Sequence, residues 1–161
     1  MRLRAQGLSM LPTIWPHDIL TMQGARITSL TVGDIVMYRK DNRCFIHRLA
    51  KQVPDSRGSA QGPWVTKGDS NSQPDFPPVS ASQLVGVVVG LQRYQRSIIL
   101  PAQLVGLRRC AAWLLGRSTR LRSMALRLHM LFHHNSLAPT FDVLARAYPE
   151  NASDFHISRL S

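Results

Sequence analysis

The sequence predicts a mainly β fold: a small antiparallel β-sheet or barrel, followed by a basic helical segment. Three observations predict it. Short runs of β-forming residues alternate with turn residues through residues 1–92. Proline then disappears between Ala102 and Phe132, where Leu, Ala, Arg and Met dominate. The charge is divided in the same way. Residues 1–92 carry ten Lys/Arg and six Asp/Glu, residues 93–134 eight Arg and no acid, and residues 135–161 two Arg and three acids. At 161 residues and 44% apolar content the chain is long enough for one modest core.

The expected strands, in order, are Asp18–Met22, Asp34–Tyr38, Cys44–Leu49, the weaker Trp64–Lys67, and Leu84–Val89. Asp41-Asn42, Pro54 to Gly58 and Pro77-Pro78 break the chain between them. In the third strand a period of two sets Phe45, His47 and Leu49 on one face and Ile46 and Arg48 on the other. His47 is therefore expected to be walled off from bulk water. Ser9 stands between Gly7 and Pro12, a pattern that marks a turn able to present a side chain.

Pro101 suits the first turn of a helix, and Gly116 to Thr119 suits a break between two. On one continuous wheel Arg109, Arg117, Arg120 and Arg127 share a sector about 80° wide. Leu104, Leu107, Ala111, Leu114, Leu115, Ala125 and Phe132 lie opposite, and Arg108 and Arg122 interrupt them. Domain organisation is thus expected as a β domain over 1–92, an Arg-rich helical segment over 93–134 and a tail over 135–161.

The longest apolar run, Ile98 to Leu107, is far short of the roughly 20 residues a membrane span needs, and no secretory signal pattern opens the chain. Cys44 and Cys110 have no framework spacing and read as reduced thiols. His129, His133 and His134 hold an i, i+4 pair, but no Cys or carboxylate completes a metal set, so neither metal nor cofactor is expected. Trp15, Trp64 and Trp113 read as packing residues.

The chemistry lies in the first half of the chain. A serine hydroxyl is a poor nucleophile without a base, and histidine is the side chain best matched to that role near neutral pH. Ser9 is followed by His47, and His47 by two carboxylates, Asp69 and Asp75, either of which could orient an imidazole. Each has an ordinary alternative: a turn serine, a structural histidine, acids that brace loops.

Four boxes change that balance: Ser9-Met10-Leu11-Pro12, Gly33-Asp34-Ile35-Val36, His47-Arg48, and Lys67-Gly68-Asp69-Ser70-Asn71 with Asp75. In this order they resemble type I signal peptidases, the serine endopeptidases that remove signal peptides. They look most like the branch of the endoplasmic reticulum, archaea and some Gram-positive bacteria, and the resemblance covers about residues 5–92. It implies a β-rich catalytic fold with Ser9 as nucleophile and His47 as general base. Asp75, or less strongly Asp69, is implied as the orienting acid. Relatives with lysine at the base position would need that lysine's pKa lowered, whereas histidine needs no such shift.

Backbone N–H groups of Ser9 and Met10 are the expected oxyanion donors. Family substrates carry small residues before the cut, so a shallow apolar cleft lined by Met10, Ile14 or residues near Val36 is expected. The expected partner is a peptide or pre-protein. An anionic membrane surface is a second, through Arg109, Arg117, Arg120 and Arg127, on equal terms with a solvated helix that packs one face on the β domain; nucleic acid ranks well behind, for want of a binding motif. The expected location is a membrane surface or the cytoplasm. Two rival readings stay open: a soluble peptidase trimming a dedicated leader, and a non-catalytic basic binding module on the same scaffold.

Overall fold

The computed structural model describes residues 1–54 and 62–133. Among these, seven strands form one antiparallel sheet: β1 (Arg2–Arg4), β2 (Ile19–Gln23), β3 (Ile35–Lys40), β4 (Arg43–Gln52), β5 (Trp64–Lys67), β6 (Leu84–Arg93) and β7 (Arg96–Ile98). The order is β1-β2-β6-β3-β4-β5, with β7 paired to β6. The sheet is open, so of the two expected architectures the sheet is formed and the barrel is not.

All five expected strands are present within a few residues. β1 and β7 were not foreseen, and the reason is local. The β3–β4 hairpin turns on Asp41 and Asn42, both at positive φ (49° and 61°), which are residue types that tolerate that region. The β6–β7 hairpin turns on Tyr94 and Gln95, also both at positive φ (50° and 62°), without the Asn, Asp or Gly that marks such turns in a sequence. The sheet therefore continues to Ile98. Arg93 and Arg96 belong to this hairpin and not to the helical segment assigned from residue 93.

The two faces of the sheet carry two apolar clusters. Val36 stands opposite His47 and Tyr38 opposite Phe45. On that face Val36, Tyr38, Leu49, Trp64, Val79 and Leu30 pack together. The other face packs Leu20, Met22, Ile35, Met37, Val88 and Leu91 against Met10 and Ile14 of the segment before β2. The alternation along β4 thus puts His47 over one core and Arg48 over the other.

Two helices follow, α1 (Leu107–Arg117) and α2 (Thr119–His133). The break falls at Ser118, inside the expected Gly116–Thr119 division. The Ser118 N–H closes α1 on the Leu114 carbonyl (3.0 Å), while its Oγ accepts from the Leu121 N–H (3.3 Å). Arg122 caps the end of α1 through the Leu115 and Gly116 carbonyls (2.9 and 3.1 Å).

Two expectations are corrected. The helix does not start at Pro101, because the Pro101 and Ala102 carbonyls are drawn to the Arg48 guanidinium; α1 begins after Gly106, which has φ of 54°. The single wheel also fails, and already within α1. Of the residues expected opposite the arginines, Leu115 is buried but Leu107 and Leu114 are exposed, and Ala112 and His129 supply the other buried contacts. The Phe132 side chain and the expected tail over 135–161 lie outside the described residues. No helix among the described residues is long and apolar enough to cross a membrane.

Candidate active site

Gly7, at φ of 88°, turns the chain out of β1 through backbone space that favours glycine. The turn that follows is closed by Leu11 N–H to Leu8 O (3.3 Å) and by Thr13 and Ile14 N–H to Met10 O (both 2.9 Å). Met10, Leu11 and Ile14 are buried and anchor the turn, which leaves Ser9 half-buried at its edge. The carbonyls of Leu8, Ser9 and Met10 are all occupied; Ser70 supplies its N–H to Ser9 O and its Oγ–H to Leu8 O (both 2.9 Å). Among the described residues, the N–H groups of Ser9 and Met10 donate to no backbone carbonyl.

Ser9, His47 and Asp75 meet in a line. Ser9 Oγ lies 2.9 Å from His47 Nε2, and His47 Nδ1 lies 2.6 Å from Asp75 Oδ2. A carboxylate only accepts, so Nδ1 carries the proton toward Asp75, and the Nε2 lone pair is left facing Ser9. His47 is buried at 5% exposure, as the alternation along β4 predicted. Asp75 is fixed by its own N–H to Thr66 O (2.8 Å), and Oδ2 also accepts from Thr66 Oγ1 (2.7 Å) and Tyr38 OH (3.2 Å).

Burial works against the charged form of Asp75. The hydrogen bonds from His47 and Thr66, the attraction of His47 in its protonated form and the bond from Tyr38 outweigh it, and hold the carboxyl below the usual aspartate value. The Tyr38 hydroxyl is pushed up to about 12, first by burial and then by the neighbouring Asp75 charge, against a lowering hydrogen bond from Thr66. It therefore stays protonated and donates to Asp75.

Asp69, the other candidate acid, is placed elsewhere. Its two oxygens take Arg48 Nε (2.8 Å) and Nη2 (2.9 Å), and Oδ2 also accepts from Thr13 Oγ1 (2.5 Å). Arg48 continues to the carbonyls of Gly33 (2.9 Å) and Pro101 (2.6 Å). Asp69 thus orients Arg48 and tethers the turn that carries Ser9; it does not contact His47. A second arginine does similar work. Arg93 holds the fully buried Asp18 through both oxygens (2.9 and 2.6 Å) and reaches the Thr13 carbonyl (3.0 Å).

Tyr38, Thr66, Arg93 and Asp18 were not singled out from the sequence. For Tyr38 a signal existed: it shares a strand face with Val36, which the hairpin at Asp41-Asn42 sets opposite His47. The Arg93–Asp18 pair joins distant segments and leaves no local signature.

The expected substrate cleft is also corrected. Met10 and Ile14 are core residues at 5% and 4% exposure and do not line an open surface. A cleft of about 640 Å³ lies beside the Lys67–Ser72 loop, against Arg109, Trp113 and Arg117 of α1; Ser9, His47 and Asp75 do not line it. Of the histidines considered for metal, His129 is engaged by Tyr94 OH (3.1 Å) and the Pro16 carbonyl (3.1 Å). The His133 side chain and His134 lie outside the described residues. Cys44 and Cys110 are free and exposed. Compared with family models, curated proteins and solved structures, the chain matches none of them.

Proposed function

We propose that this chain is a serine endopeptidase of signal-peptidase I type that cleaves signal or leader peptides after small residues. The observation that carries the reading is the continuous relay from Ser9 Oγ through His47 to Asp75, at 2.9 and 2.6 Å. In this mechanism Ser9 Oγ attacks the scissile carbonyl while His47 Nε2 takes its proton. Asp75 holds the ring in the required tautomer and stabilises the imidazolium that forms. The Ser9 and Met10 N–H groups face the oxyanion of the tetrahedral intermediate. His47 then returns the proton to the departing amine, leaving an acyl group on Ser9. Water, activated by the same histidine, releases it. The preference for small residues before the cut rests on the four-box resemblance.

The test is cleavage of a peptide with alanine at positions −1 and −3 before the cut. The wild-type chain should turn it over. Ser9→Ala should lower kcat/KM by at least about 10⁴-fold. A fluorophosphonate should label Ser9 in the wild type and fail in His47→Ala. Cleavage that survives Ser9→Ala would overturn the proposal.

A further inference from the structure

A helix on a protein surface ordinarily turns its apolar stripe to the core and its charges to water. In α2 the stripe is Leu121, Met124, Leu128 and Leu131, spaced i, i+3, i+7 and i+10 and so within about 80° of one another. It points outward, with exposures of 39%, 56%, 51% and 74%. α1 adds Leu107 at 89%, Trp113 at 62% and Leu114 at 45%. The hairpin is held to the sheet domain by little: Ala112, Leu115, Gly116 against the Ser70 backbone, and His129 beside Trp15.

Arginines border this apolar surface. Arg120 and Arg127 lie along the α2 stripe, and the Arg117 guanidinium sits 5.7 Å from the Trp113 ring centroid. Arg122 is already used on the end of α1. The sequence from 107 to 133 contains no Asp or Glu.

Both halves of this surface constrain its occupant. Water leaves these exposed leucines, methionines and Trp113 unsatisfied, and so much exposed apolar surface is rare on a soluble monomer. Nucleic acid would use the arginines and leave the leucines idle. A second copy of the face would bring arginines against arginines with no acid between them. An anionic bilayer surface uses both. We infer that α1 and α2 lie in the interface of an anionic membrane, with the arginines at the headgroups and Trp113 and the Leu/Met stripe below them. This goes beyond the peptidase reading and stands without it.

The experiment is partition of the full chain onto phosphatidylcholine vesicles with and without about 30% phosphatidylglycerol. Binding should require the anionic lipid and weaken with salt. Arg120→Gln with Arg127→Gln should lower the partition coefficient roughly 30-fold, at about fivefold per arginine. Met124→Gln with Leu128→Gln should lower it by about tenfold or more. Both pairs are surface changes and should leave the melting temperature in place. Trp emission should shift to the blue on anionic vesicles, and Trp113→Phe should remove that shift. The inference is overturned if the wild type does not partition, or if partition ignores both double variants. It is also overturned if the leucine face instead supports a dimer without lipid, or is covered by residues 134–161 so that lipid leaves the emission unchanged.

Discussion

At the scale of the residue, Asp69 and Asp75 show how partner geometry separates two carboxylates that a sequence presents as equals. Asp75 faces His47, so Asp75→Asn should keep the fold but favour the wrong imidazole tautomer. Under the proposed mechanism a fall in kcat of about 10⁴-fold is expected, the loss known for Ser-His-Asp sites. Asp69 faces Arg48, with both side chains nearly buried at 3% and 11% exposure. Asp69→Asn should instead act on stability, because breaking a buried pair costs about 3–5 kcal/mol. Thermal melts and steady-state kinetics at a temperature where both variants are folded would separate the two roles. Equal loss of kcat in both variants at matched folded fraction would contradict the assignment. Tyr38→Phe removes one of the donors to Asp75 and should lower kcat by roughly tenfold while KM holds, since hydrogen bonds to charged groups contribute about 1.5–3 kcal/mol at most.

At the scale of the element, the turn that carries Ser9 depends on what packs behind it. Gly116 of α1 presses on the Ser70 carbonyl so closely that a Cβ would run into it, and Ser70 holds the carbonyls of Leu8 and Ser9. Gly116→Val should therefore force α1 away and cost about 1–3 kcal/mol by overpacking. Activity should fall with it, as the Ser9 backbone loses its brace. Gly24→Ala is the control: open space surrounds it, and its melting temperature should match the wild type. Element boundaries were legible where a residue type carries its own geometry. Asp41-Asn42 announces a hairpin and Gly116 to Thr119 a break. Tyr94-Gln95 announces nothing, and its hairpin is supported by a distant contact, Tyr94 OH on His129. Helix faces were the least legible, since adjacent leucines of one helix, Leu114 and Leu115, differ in which meets the sheet domain.

At the scale of the molecule, the order Ser, His, Asp was legible because each residue sits in a local pattern: a Gly/Pro turn, an alternating strand, a loop after a short strand. The arginines that hold these pieces in register were not, because Arg48 and Arg93 act across the fold. Asp75 ties the local relay to global stability, and the sign follows from its pKa. Its folded value lies below that of the unfolded chain, ordinarily about 3.9. Through that window the unfolded state binds more protons, so stability rises with pH. The contribution is complete above the ordinary aspartate value and is lost as pH falls through the folded one. Tyr38 has the opposite sign. Its folded value of about 12 exceeds the usual 10, so its contribution is complete below the unfolded value and is lost as pH rises through the folded one. Urea unfolding of the wild type, Asp75→Asn and Tyr38→Phe should resolve both limbs. The gap between wild type and Asp75→Asn should hold constant down to about pH 5 and shrink below it. The gap to Tyr38→Phe should hold through neutral pH and shrink only above about pH 10. An Asp75 gap that stays constant to about pH 2 would mean that the carboxylate is not engaged in the folded chain, and the relay behind Ser9 would lose its third member.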